Sequence, residues 1–272
     1  MLKVRVITAV ALLAVLLPVL WLQSFAAFAI VTTCFFSASI WESFRLFGGR
    51  RATLAATIWT GLFIAMLYAG QDAQASLLYA FSVAIWAIRL APALSVGLPP
   101  LLTNANVLLS GVYGIALLGC FTAMFGLFAR SPLYLLSVLM IVWLADIGAY
   151  FFGKALGKRK LAPGISPGKS WEGAIGGWAS AVAITAALVV FLEAQGTFPA
   201  ELLAAWGWLG FIGAITLIVA ASVVGDLFES LLKRRAGFKD SSALLPGHGG
   251  VLDRVDALVP ALPLAALLAS RF

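Results

Sequence analysis

The sequence predicts an all-α fold, a polytopic integral membrane bundle of about nine transmembrane helices with a cytoplasmic N-terminus. Three observations predict it. Of the 272 residues, 62% are hydrophobic and 11% are charged, whereas soluble domains run to about half apolar and a quarter charged. Apolar stretches of about 20 residues, enough to cross a ~30 Å hydrocarbon core as a helix, recur along the chain. The basic residues collect in alternate connectors, as the positive-inside rule requires.

Taken in order, the spans fall at 5–22, 25–42, 52–69, 75–93, 105–128, 132–153, 173–194, 206–232 and 254–271. The first follows Lys3 and Arg5 and imitates a secretory signal. Its apolar run is long enough to span and a second span follows at once, so it reads as a membrane helix and not a cleaved leader. Spans two to five have short connectors, and Arg45, Arg50, Arg51 and Arg89 fall on the side of the N-terminus. Basic loops follow the sixth span at 154–172 and the eighth at 233–254. With the N-terminus inside, 16 of the 18 Lys and Arg are cytoplasmic, and only Arg130 and Arg271 are outside. Around the external connectors 71–74 and 195–205 stand Asp72, Glu193 and Glu201 with no Lys or Arg. The chain reads as one membrane domain over 1–272, with mainly membrane-spanning scaffold in 1–140 and its polar residues concentrated in 141–272.

A net charge of +7 invites a nucleic-acid reading, but no basic patch is interleaved with exposed aromatics, so no nucleic acid is expected. Cys34 and Cys120 lie in apolar runs and read as packing residues, neither a zinc site nor a disulfide.

Polar residues inside the spans need a chemical reason. Asp146, in LMIVWLADIGAYFFG, lies within about two turns of the cytoplasmic end of its span; a carboxylate near a helix centre costs about 3 kcal/mol to insert and so faces a cavity or a partner. The next loop contains Ser166-Pro167-Gly168-Lys169-Ser170 and Glu172, a turn whose amides, hydroxyls and lysine can cradle phosphate. It is not a P-loop, because Pro163 stands where the first glycine belongs and no βαβ pattern surrounds it. Asp226, Glu229, Ser230 and Lys233 share one helical face, which must look into protein or water. Then Lys239, Asp240, His248, Gly249, Gly250, Asp253, Arg254 and Asp256 crowd into eighteen residues. Carboxylates gathered with Lys and Arg describe a magnesium and polyphosphate site.

The stretch SLLKRRAGFKDSSALLPGHGGVLDRVD, from Ser230 to Asp256, resembles the signature of phosphatidate cytidylyltransferases at every fixed position, and SPGKSWEG, Ser166 to Gly173, is similar to that family's second motif. The resemblance implies an enzyme that joins CTP to phosphatidic acid, releasing CDP-diacylglycerol and pyrophosphate. It implies a multi-pass protein of the inner, cytoplasmic membrane, its site facing the cytoplasm, often a homodimer and dependent on Mg²⁺, with room for a second, monovalent or divalent, cation. Asp226 and Asp253 would correspond to the metal ligands. Lys233, Lys239, Asp240, His248, Arg254 and Asp256 would complete the catalytic set. Ser166, Lys169, Ser170, Glu172, Ser230, Arg234, Gly249, Gly250 and Asp146 would contact substrate. Two other readings stay open: a CTP-dependent kinase of a lipid alcohol, and an ion transporter built on the intramembrane acids.

Overall fold

The structure is a computed structural model that describes residues 14, 18, 19, 21–49, 51–69 and 73–272. Most of the first expected span, with Lys3, Arg5, Arg50 and Asp72, lies outside the described residues. The chain forms α1 (Phe25–Leu46), α2 (Ala52–Ala69) and α3 (Ala73–Ile85), which runs through a π-helical turn at Trp86–Leu90 into the short α4 (Ala93–Val96). Next come α5 (Asn104–Arg130) and α6 (Pro132–Leu156), a hairpin of β1 (Lys160–Ala162) and β2 (Ser166–Ser170), and α7 (Trp171–Phe191). Last are α8 (Phe198–Ala236), the single turn α9 (Leu252–Val255) and α10 (Leu258–Ala269). Each of the eight later expected spans has a helical counterpart. Six helices among the described residues are long and apolar enough to cross a membrane, while Ala52–Tyr68 and Leu258–Ala269 are shorter apolar helices.

Local chemistry sets the boundaries. Ser131 ends α5 and begins α6: its hydroxyl accepts from the Tyr134 amide at 2.9 Å, with Pro132 in the first turn. The connector 154–172, expected as a loop, contains the antiparallel hairpin, with Lys160 opposite Ser170 and Ala162 opposite Ser166. Ala162-Pro163-Gly164-Ile165 closes it, the Ile165 amide donating to the Ala162 carbonyl at 3.1 Å, as a Pro-Gly turn does. The external connector is also shorter than expected, because α8 begins at Phe198. Gly207, at φ 62° and ψ −171°, breaks that helix, a conformation only glycine adopts without strain. Glu201 is thus helical, and its carboxylate pairs with Arg130 at 3.0 Å. Arg130 also donates to the Ala269 carbonyl at 2.5 Å and the Phe272 carbonyl at 3.3 Å, tying the end of α5 to the C-terminus.

The fold is two helix groups sharing a seam. In one, α5 runs through the middle with α1, α2, α3, α6 and α10 against it, its centre filled by Phe36, Phe63, Tyr113 and Phe121, all fully buried. In the other, α6 and α7 lie along each other and α8 packs on both. Their close approach depends on glycine: a Cβ on Gly173 would come within 2.9 Å of the Ala149 carbonyl. The outside is studded with exposed Leu77, Ile88, Ile147, Phe151 and Leu209, an apolar coat suited to hydrocarbon.

Candidate active site

Three helices, α6, α7 and α8, and the hairpin converge at one end. Asp146 comes from α6, Lys169 from β2 and Asp226 from α8. The Lys169 ammonium lies 2.5 Å from an Asp226 carboxylate oxygen, and Ser230, one turn on, donates to the other oxygen at 3.4 Å. Asp146 and Asp256 both feel the negative charge of Asp226 and the positive charge of Lys169. Asp146, Lys169 and Asp226 border a cavity of about 600 Å³ whose walls also include Lys154 and Ser166 with Ala145, Tyr150, Val219 and Val223. Charged and apolar side chains thus share its lining.

A second charged knot lies two turns further along α8. Lys233, its side chain 12% exposed, is held between Glu229, fully buried, and Asp253, whose nearest oxygen is 2.6 Å away. Asp253 is heavily engaged: its second oxygen accepts from the Ser241 amide at 2.8 Å, the Ser241 hydroxyl at 2.9 Å and the Gly250 amide at 2.8 Å. Burial opposes its ionisation, but the Lys233 ammonium and those amides together hold the Asp253 carboxyl below the usual carboxylate range. Asp256 faces the charges of both knots, feeling Lys233 as well as Asp226 and Lys169.

The loop between α8 and α9 borders a second, more polar cavity of about 760 Å³, lined by Lys239, Asp240, Ser242, His248, Gly249 and Arg254. The loop folds on itself, the Leu245 amide donating to the Gly249 carbonyl at 2.8 Å and Arg254 donating to the His248 carbonyl at 2.6 Å. Gly249 has φ +84°, and a Cβ there would press on the Asp253 carboxylate at 2.8 Å.

Several of the expected substrate contacts also hold the local fold. Ser170 caps α7, accepting from the Gly173 amide at 3.1 Å. Glu172 accepts from the Lys158 and Arg159 amides, each at 3.1 Å, and pairs with the exposed Arg159 at 3.3 Å. Both fasten the hairpin that presents Lys169. Arg234 is exposed on the outer side of the last α8 turn. Gly250 is needed for packing, since a Cβ would collide with Ser241 and Glu42. Glu42 itself escaped the sequence reading. It lies in α1, fully buried, and takes hydrogen bonds from the signature loop. The signal was present: a carboxylate inside an apolar stretch, the same signal that marks Asp146.

The donor set suits a hard cation. It is all oxygen, without His or Cys, and both Asp226 and Asp253 already hold a positive charge, a lysine ammonium, against one oxygen. Among the described residues no three His, Cys, Asp or Glu side chains gather closely enough to cage an ion alone. One or two carboxylates completed by substrate phosphate oxygens is how Mg²⁺ is usually held.

Residues 3–272 match the cytidylyltransferase family. Over 98% of its length, and 97% of the relative's, the chain is 42% identical to the phosphatidate cytidylyltransferase of Pseudomonas aeruginosa. It is 37% identical to that of Haemophilus influenzae over 97% of this chain and 96% of the other. A 132-residue stretch, 48% of this chain and 45% of the relative, is 51% identical to the phosphatidate cytidylyltransferase of Brucella suis.

Proposed function

The chain belongs to the cytidylyltransferase family and makes CDP-diacylglycerol from CTP and phosphatidate; from that premise we propose that the transfer takes place where Lys169 meets Asp226. One observation carries this placement. The two stretches that resemble the family, SPGKSWEG and the signature that begins at Ser230 on α8, are far apart in sequence, yet Lys169 of the first and Ser230 of the second meet on the same carboxylate, that of Asp226, at the border of an amphipathic cavity. A lipid phosphate and a water-soluble nucleotide can meet only at such a border.

In the reaction a phosphatidate oxygen attacks the α-phosphorus of CTP in line and pyrophosphate leaves. Phosphoryl transfer of this kind asks for positioning and charge neutralisation, not a protein nucleophile. The apolar wall of Ala145, Val219 and Val223 takes the glycerolipid, and Lys169 turns from Asp226 to a phosphate. Lys239, His248 and Arg254, on the polar second cavity, receive the triphosphate, and Asp240 and Arg234 flank them. Asp226 and Asp253 would hold Mg²⁺, with Asp256 in support; bound there, Mg²⁺ would neutralise triphosphate charge and polarise the reacting phosphate. Five acids, Asp146, Asp226, Glu229, Asp253 and Asp256, face two lysines, Lys169 and Lys233, a surplus that leaves room for a second cation.

Nine spans, a cytoplasmic N-terminus and a site on the cytoplasmic face of the inner membrane complete the proposal, with a homodimer as the assembly. The alternation of ends supports it. Arg130, Glu201 and Phe272 meet at the end expected outside, and Glu42, Ser241 and Asp253 at the end expected inside. A periplasm-active reporter is expected to stay silent after residue 160 or 240 and to work after residue 198; the reverse pattern overturns the orientation.

Incubating the purified protein with phosphatidate, labelled CTP and Mg²⁺ tests the chemistry. Pyrophosphate is the expected product, whereas CDP means a lipid kinase and no turnover leaves the transporter reading. Lys169→Ala is expected to lower kcat/KM by roughly ten- to a hundredfold, since a charge-assisted phosphate contact is worth about 1.5–3 kcal/mol. Unchanged kinetics would return Lys169 to a purely topological role.

A further inference from the structure

We propose that Glu42 is a positioning residue for cytidylyl transfer, a carboxylate in the first described helix that fixes the signature loop and, through it, Asp253. Glu42 stands one turn before the end of α1 and has no solvent exposure. A carboxylate so placed is heavily destabilised unless donors surround it. Its donors all come from one stretch of chain: the Ser241 hydroxyl at 3.1 Å, the Ser242 hydroxyl, the Val251 amide at 3.1 Å and the Leu252 amide at 2.6 Å.

The dependence runs both ways. Glu42 is tolerated in the bundle because the loop closes over it, and the two ends of the loop, 241–242 and 251–252, are pinned to a single side chain. Between the pins lie His248 and Gly249; just past them is Asp253, which shares the Ser241 hydroxyl with Glu42. Asp253 in turn meets Lys233, which meets Glu229. The chain Glu42, Ser241, Asp253, Lys233, Glu229 connects α1 to the reacting end of α8 without a solvent-filled step. Gly250 permits the approach, because any Cβ there would strike both Glu42 and Ser241. Glu42 lines neither of the two cavities described above, so it acts through the residues it holds.

The inference rests on the cytidylyl-transfer reading, and its test keeps the two separable. Full-length Glu42→Gln, Ser242→Ala and the double variant are purified in detergent. For each, kcat, the KM for CTP and for phosphatidate, melting temperature and amide exchange across 239–252 are measured. In Glu42→Gln an amide NH₂ must face donors, so kcat is expected to fall about a hundredfold, with the phosphatidate KM within twofold and faster loop exchange. Ser242→Ala should lose about five- to tenfold in the same pattern, and the double variant should be no worse than Glu42→Gln, because both remove one interaction. Glu42→Gln with kcat within twofold of the parent, unchanged loop exchange, or multiplying losses in the double variant would overturn the proposal. If Glu42→Gln does not fold, Ser242→Ala decides: kcat within twofold together with unaltered exchange rejects the pin. A parent protein without turnover sinks the functional reading instead, while loop exchange still judges the pin.

Discussion

Asp226→Asn is expected to abolish Mg²⁺-dependent turnover while leaving the helical bundle folded. The side chain is one-third exposed at the cavity border, and its partners there are the Lys169 ammonium and the Ser230 hydroxyl. Asn has nearly the same shape, and its carbonyl can still accept from either, so packing is kept. The formal charge that a hard cation requires is lost. Asp146 and Asp256 lose a repelling neighbour, a further reason for stability to hold. Asp253→Asn is expected to be equally inactive but less innocent, because an amide cannot reproduce a carboxylate that accepts from Lys233, Ser241 and Gly250 together. The check is turnover with Mg²⁺ beside detergent melting temperature. Near-normal turnover in either variant removes that residue from the proposed metal site.

Lys233→Met is expected to damage folding and catalysis together. The ammonium is nearly enclosed between Glu229 and Asp253, whose side chains are 0% and 7% exposed. Methionine matches the length of the stem but leaves two carboxylates facing each other without a counter-charge. Breaking a buried ion pair from one side costs about 3–5 kcal/mol, so the melting temperature should fall by many degrees and turnover should vanish. Lys169→Ala, by contrast, should change the kinetics alone, because that ammonium sits at an open border. A Lys233→Met protein that melts like its parent would show that the knot is not what holds α8 to the loop.

Much of this site was legible in the sequence, for physical reasons. Asp226, Glu229, Ser230 and Lys233 follow helical spacing, and a polar stripe in an apolar span must point inward. Gly249 and Gly250 announce a tight chain path. The hairpin was missed because 160–170 lacks alternating hydrophobicity; Pro163-Gly164 and the Glu172 clamp make it. The onset of α8 at Phe198 was hidden because the polar Glu201 falls in its first turn, ahead of the long apolar run, and Gly207 breaks the helix between the two. Glu42 was missed because a carboxylate one turn from a helix end, beside Arg45, reads as an interfacial residue, and its partners lie at a sequence distance that no local pattern reports. Its contacts reach from α1, in the mainly membrane-spanning stretch 1–140, to the loop at 241–252.

The separation between Glu42 and its partners has a bearing on how the protein is made. The Ser241 hydroxyl is 199 residues downstream and the Leu252 amide 210, so α1 enters the bilayer long before any of its donors has left the ribosome. At typical elongation of about 5–20 residues per second, that interval is roughly 10–40 s. Throughout it the half-made chain carries a carboxylate in an apolar helix with none of its final donors, an arrangement that favours staying at the interface or beside a polar insertion machinery. The locked loop can exist only after α8 has threaded and α9 has turned back, so catalytic competence waits until α9 has been made and does not arrive by increments. A truncated chain that stops within α8 would therefore be an inactive enzyme that also displays the unmet polarity by which membrane quality control can know it.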